Sequence, residues 1–146
     1  MIDYAKYRIA LRRLFKQKQK VRAAYAKYVT SARKDGKNAK EISSLEYEGW
    51  YEEDMINEDI SILVTTYLVS KATKHFISIP PRKDEGMWEQ CNKISERFVL
   101  TNAGISALRS SIRAEAKERR DLLLPLIAAL TGIIGIVTGL IAVIKK

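Results

Sequence analysis

Cysteine and histidine each occur once in this chain of 146 residues, as Cys91 and His75. A lone cysteine excludes an intrachain disulfide and a cysteine metal cluster, and it fits a reducing cytosolic compartment. His75 stands beside Phe76, shortly before a Pro-Pro pair, and reads as structural. No Gly-rich phosphate loop, HExxH, CxxC or GxSxG occurs. Glu52, Glu53 and Asp54 are consecutive and do not converge on one helix face as metal ligands would. No catalytic residues, metal or cofactor are expected, and an enzyme is not the reading these absences favour. An apolar signal segment is lacking at the N-terminus, because Met1 to Arg13 is charged throughout. Internal repeats and low-complexity stretches are absent as well.

Single-sign charge is the next imbalance. The formal net charge is +9, yet residues 1–40 hold thirteen Lys and Arg against Asp3 and Asp35 alone, and residues 41–60 hold eight acids and no base. The basic excess is therefore largely an N-terminal property.

Charge disappears altogether from Leu122 to Ile144, a run of 23 residues followed by Lys145 and Lys146. About 20 apolar helical residues cross a bilayer's hydrocarbon core, and this run reaches about 34 Å at about 1.5 Å per residue. It reads as a single transmembrane helix. Insertion would depend on this C-terminal segment, as in a tail-anchored protein. The preceding stretch carries Arg109, Arg113, Lys117, Arg119 and Arg120. The positive-inside rule keeps such residues cytoplasmic, which places the N-terminal domain in the cytosol and the protein in the cell's inner (plasma) membrane.

Upstream, the spacing predicts a mainly all-α fold. Tyr4, Tyr7, Leu11, Leu14, Lys18, Val21, Tyr25, Tyr28 and Ala32 alternate spacings of three and four, an a/d seam over residues 3–35 that Lys18 interrupts. Asp35-Gly36-Lys37-Asn38 is a turn signal. A second helix begins near Ala39 with a patchier stripe of Ile42, Leu45, Gly49, Ile56, Ile60, Leu63 and Tyr67. Its segment Ile60 to Val69 is rich in β-branched residues, and helix is preferred there because the stripe continues without a turn. The two helices form a long antiparallel, coiled-coil-like hairpin over residues 1–76. Such pairing sets the distal bases of helix one beside the acids from Glu41 to Asp59. It sets Arg8, Arg12, Arg13 and Lys16 beside Lys71 and Lys74, leaving a positive surface unanswered near the N-terminus.

Residues 77–101 form a loop region broken at Pro80-Pro81. His75 to Ile79 and Arg97 to Leu100 read as two short strands, a small β-hairpin, and Trp88 to Glu96 as a short helix. Thr101 is a credible N-cap. A juxtamembrane linker helix over 102–121 buries Ile105, Leu108, Ile112 and Ala116 on one face. It runs into the transmembrane helix at 122–144, with Pro125 as a kink or restart.

Three candidate sites follow. Arg8, Arg12, Lys16 and Lys20 recur every fourth residue, with Arg13 beside them, a row that suits phosphates of a nucleotide or single-stranded nucleic acid. A solvated coiled-coil face is the plain alternative, and anionic lipid headgroups compete as ligands. Tyr4 and Tyr7 suit base stacking or core packing. Within the membrane run, Ala128, Thr131, Gly132, Gly135, Thr138, Gly139 and Ala142 share one face, and Gly135 and Gly139 form GxxxG. This face reads as a helix-packing surface, as a pore lining that needs four or more subunits, or as chance. Arg109, Arg113, Lys117, Arg119, Arg120 and Pro125 form the linker through which a gate would be worked.

The stretch RFVLTNAGISALRSSIRAEAKERRD with PLIAALTGIIGIVTGLIAVI resembles a pattern in small bacterial proteins of unknown function. There a Leu-Thr-x-x-Gly turn (here Leu100, Thr101 and Gly104) starts a helix bearing Leu-Arg and Ile-Arg (Leu108, Arg109, Ile112 and Arg113). A basic run and one Gly-rich membrane helix follow. Joined to a basic hairpin, the architecture also resembles the membrane effectors of bacterial anti-phage systems of the Hailong type. That resemblance implies an oligomeric ion channel, a polyanionic nucleic-acid ligand and a partner nucleotidyltransferase. The expected function is an oligomeric membrane effector, a gated pore whose cytosolic basic domain senses nucleic acid or nucleotide in antiviral defence. The alternative is a non-conducting anchored scaffold that recruits a partner protein to the membrane.

Overall fold

A computed structural model describes residues 3–91 and 97–144, with side chains described at all of these except 126, 133 and 135–144. The described chain is mainly helical, with a small two-stranded sheet. The order is α1 (Tyr4–Lys34), α2 (Ala39–Lys74), β1 (Trp88–Gln90), β2 (Phe98–Leu100) and α3 (Asn102–Ile144).

Helices α1 and α2 form the antiparallel hairpin that the spacing predicts. Its turn is a Schellman motif. Gly36 takes φ +69°, the Lys37 N–H donates to the Ala32 carbonyl at 3.0 Å, and Asn38 then caps α2 by accepting from the Glu41 N–H at 2.9 Å. Lys18 sits in the seam without a buried charge problem, because its ammonium donates to Asn57 Oδ1 at 2.8 Å. Near the open end Tyr7 stacks on Tyr67 at 4.0 Å with rings 11° apart. Gly49 lets α1 approach closely, since a Cβ there would lie 2.8 Å from Tyr25 Cγ. Desolvation, then the carboxylates of Glu52 and Glu48, push the Tyr25 hydroxyl above its ordinary ionisation range.

The patchy apolar pattern of α2 has a reason in its surroundings. One side meets α1. The other meets β2 and α3, and Val64, Thr65, Leu68 and Ala72 are buried there. A helix covered on two sides has no single apolar stripe. The core gathers Val64, Leu68 and Ala72 with Tyr7, Trp88, Leu100, Leu108 and Ile112. Thr65, a buried hydroxyl, accepts from the Leu100 N–H at 2.9 Å and ties β2 to α2.

The loop region departs from expectation. Trp88–Gln90 is a strand, antiparallel to β2 in the register Trp88↔Leu100, and the expected helix does not form over those residues. Residues 92–96 of that expected helix lie outside the described ones. The β2 strand falls within the expected Arg97–Leu100, but its partner is β1. His75 to Ile79 is instead the end of α2 and the loop after it. There the Ile77 N–H donates to the Ala72 carbonyl at 3.0 Å, closing a second Schellman motif with Phe76 at φ 57°.

Helix α3 begins as expected, with Thr101 Oγ1 accepting from the Gly104 N–H at 3.1 Å. It runs unbroken through Pro125 to Ile144, so the proline neither restarts nor ends it. Leu108 is 1% and Ile112 7% exposed against the core, whereas Ala116 and the described side chains beyond it are not covered. The helix thus leaves the folded body after about Ile112. Among the described residues no helix is long and apolar enough to cross a membrane. The described stretch Leu122 to Ile134 supplies about 20 Å of the roughly 30 Å required, and the remainder of the run lies outside the described side chains.

Candidate functional site

Two of the distal bases pair as the hairpin predicts, Arg22 with Glu53 at 3.7 Å and Arg33 with Glu46 at 2.9 Å, while Lys18 bonds Asn57. The proximal charges do not. Arg8, Arg12, Arg13, Lys16 and Lys20 are all exposed, and none makes an ion pair with a described residue. Spacing by four sets Arg8, Arg12, Lys16 and Lys20 along the outer face of α1. Arg13 turns from that row into a groove between α1 and α2 whose other wall includes Asp59.

The structure adds a cleft where the open end of the hairpin brings the start of α1 against the end of α2. Tyr4, Tyr67, Ser70, Lys71, Lys74 and His75 line about 560 Å³, with Asp3 as the acid at its rim. Tyr4 is 58% exposed and lies 6.2 Å from the Tyr67 ring, the Arg8 guanidinium stands 6.0 Å from the Tyr4 ring, and the Lys71 ammonium 5.9 Å from the Tyr67 ring. Tyr7 is buried in the Tyr67 stack, which leaves Tyr4 alone of the two N-terminal tyrosines for a ligand. His75 has both a structural place, as the C-cap of α2, and a place in the cleft wall.

Beside this cleft Phe76 is 95% exposed and adopts φ 57°. A non-glycine residue in the left-handed region costs about 1–2 kcal/mol, and an exposed phenylalanine contributes no burial to offset it. Sequence reasoning missed Phe76 as a site residue because Phe-Ile-Ser-Ile reads locally as a strand. Lys71 and Lys74 were legible as unanswered charge, though not as walls of a cleft.

The chemistry on offer is cation and aromatic face, side by side and open to solvent. Cations suit phosphates and aromatic faces suit planar rings: Lys71, Lys74 and Tyr4 line the cleft, Arg8 stands over the Tyr4 ring, and Phe76 follows His75 in the chain. Among the described residues no group of His, Cys, Asp and Glu side chains is placed to hold a metal ion. Cys91 is buried. Desolvation, then Glu58, push its thiol up to about 11, which keeps it protonated and unreactive.

The linker cations Arg109, Arg113, Lys117, Arg119 and Arg120 are exposed, as is Pro125. Two of these cations bond within the helix, Arg119 to Glu115 at 2.7 Å and Arg113 to the Arg109 carbonyl at 3.3 Å. On the small-residue face, Ala128, Thr131 and Gly132 are exposed, and a Cβ at Gly132 would meet nothing within 4 Å. The Thr131 hydroxyl donates to the Ile127 carbonyl at 2.8 Å. Gly135, Thr138, Gly139 and Ala142 lie outside the described side chains. No family model, curated protein or solved structure matches this chain.

Proposed function

We propose that this chain is an oligomeric membrane effector whose basic helical domain binds a polyanion with planar bases, single-stranded nucleic acid or nucleotide, and whose α3 works a pore. The observation that carries the reading is the cleft between Tyr4 and Lys74, with Phe76 beside it. Stacking platforms next to unpaired cations fit bases joined by phosphates better than they fit lipid headgroups, which have no ring to stack. A mechanical route also supports it. The cleft shares Tyr67 and its neighbour Tyr7 with the core against which Leu108 and Ile112 hold α3. A ligand that shifts the open end of the hairpin therefore moves the helix leading to Leu122–Ile144.

In this reading Leu122 to Ile144 forms the membrane span at the inner membrane, with the hairpin cytoplasmic and the linker cations on that side. One helix encloses no pore, so four or more copies surround it, with the Ala128–Ala142 face inward. A nucleotidyltransferase that makes the ligand is the partner this scheme calls for, and defence against phage is the setting. The test is ion flux from liposomes holding the full chain, with and without a single-stranded oligonucleotide. Conductance that changes on adding oligonucleotide is expected, and no conductance under either condition removes the pore.

The non-conducting scaffold has one observation in its favour. Thr131 already spends its hydroxyl proton inside its own helix, so it requires no water or partner in the membrane. Leucine at both Gly135 and Gly139 separates the readings. A pore loses conductance or assembly, whereas a scaffold that still inserts keeps recruiting its partner.

A further inference from the structure

The back of α2 carries an exposed aromatic patch that the cleft does not use. Tyr47 is 64%, Trp50 59% and Tyr51 48% exposed, with the Tyr47 and Trp50 rings 5.9 Å apart. These side chains line a concavity of about 380 Å³ with Asp54, Glu58 and Glu89, and no base is among its walls. Isolated exposed apolar residues need no explanation, but a contiguous cluster of exposed aromatic rings marks a candidate binding surface.

The complement lies on the opposite side of the same hairpin. Lys16, Lys20 and Lys27 are exposed on the back of α1 with Ala23 between the last two, and none makes an ion pair with a described residue. The two surfaces also stand at one height. Lys18 bonds Asn57 and Arg22 pairs with Glu53, so each step along α1 is matched by one step back along α2. Lys20 is then level with Asp54 and Met55, and Lys27 with Tyr47 and Trp50. At about 1.5 Å per residue both surfaces extend about 16 Å.

We infer that the acidic aromatic patch of one copy docks on the lysine stripe of a second copy, the two hairpins side by side and parallel. Copies held by the same C-terminal segment share one orientation relative to the membrane, so surfaces at equal height meet without tilting either subunit. The contact is heterologous, since patch meets stripe and not patch. It leaves a free patch at one end of any dimer and so continues, into a ring where the rotation closes. Lysine ammoniums over Trp50 and Tyr47, and Lys20 against Asp54, give it both cation–π and charge components. Arg8 stays over the Tyr4 ring and Lys71 and Lys74 in the cleft wall, so the polyanion keeps its own cations. This inference rests on the oligomeric part of the proposed function, and it names the surface through which the copies meet.

The full chain in detergent tests it by short-range bis-maleimide cross-linking. One chain carries both Lys20→Cys and Asp54→Cys. Those two positions lie on opposite faces of a single hairpin, too far apart to be joined within one chain, and Cys91, which also lines the concavity, is replaced by serine throughout. A ladder of dimer, trimer and higher species is expected, with at most dimer from Lys20→Cys alone. Trp50→Ala should weaken association about 30-fold, measured by native mass spectrometry across a concentration series. Lys20→Glu should also weaken it, and adding Asp54→Lys to the same chain should restore it. A wild-type chain that is oligomeric by mass but yields no ladder and is indifferent to these variants overturns the interface while leaving oligomerisation standing. A monomeric wild-type chain overturns both.

Discussion

Gly104→Ala separates local from tertiary causes by the sign of its effect. Gly104 lies in the first turn of α3, and helix propensity alone makes alanine there more stable by about 1 kcal/mol. The surroundings oppose it. A Cβ at Gly104 would overlap the Met87 carbonyl oxygen and stand 3.0 Å from Leu100 Cδ2. Leu100 is buried and cannot retreat, and the Met87 carbonyl accepts from the Thr101 N–H at 3.0 Å. Relieving the overlap means moving the loop before β1 away from α3, which costs about 1–3 kcal/mol for overpacking and about 1 kcal/mol for the strained bond. The net expectation is a loss of about 1–3 kcal/mol, a fall in Tm of about 4–10 °C for a domain of this size. Thermal unfolding of the full chain in detergent measures it, followed by the fluorescence of the buried Trp88. Ser110→Ala, exposed on the same helix, serves as the propensity control and should gain a few tenths of a kcal/mol. A Gly104→Ala chain as stable as wild type, or more so, refutes the reasoning.

Four further outcomes are expected. Phe76→Gly should raise stability by about 1 kcal/mol by relieving the left-handed conformation, yet weaken oligonucleotide binding by removing a stacking ring, as denaturant melts and fluorescence anisotropy would show. Arg12→Ala should lower the slope of log affinity against log salt by about 0.7 for a single-stranded ligand, with little dependence on base sequence, in anisotropy titrations at several salt concentrations. Leucine at both Lys18 and Asn57 should leave stability unchanged or raise it by up to about 1 kcal/mol, whereas Asn57→Leu alone should lower it, because only the single change strands the ammonium. The Cys91 thiol, raised from 9.0 to about 11, should alkylate at pH 8 about a hundredfold slower than an exposed cysteine, and at the ordinary rate in denaturant. Below pH 9 the thiol is protonated in both folded and unfolded chains. As pH rises from about 9 towards 11 only the unfolded chain ionises, so that part of the stability is lost over this window.

The hairpin was legible because its signals are local and repeated. The seam from Tyr4 to Ala32 keeps one period for four heptads, Gly36 supplies the left-handed turn and Asn38 the cap. The charge pairing followed from that register alone, and Arg22–Glu53 and Arg33–Glu46 occur where antiparallel order puts them. The loop region was not legible in the same way. Trp88–Gln90 has no strand identity apart from Phe98–Leu100, and a three-residue strand is defined by its partner rather than by its own propensities. The unanswered cations of α1 could be counted in advance. Their neighbours could not, because the cleft joins Tyr4 to Lys71, Lys74 and His75 from the far end of another helix.

The amino-acid order by itself determined the positions of the two hairpin helices, their antiparallel pairing, the segregation of charge and the uncharged stretch after Asp121, since each depends on spacing within one element or on the turn between two. Tertiary structure alone decided that Tyr7 belongs to the core and Tyr4 to the cleft, that Phe76 stands strained in solvent, and that Gly104 admits no side chain. Those outcomes depend on which atoms arrive from elsewhere in the chain, and periodicity along one helix holds no information about them.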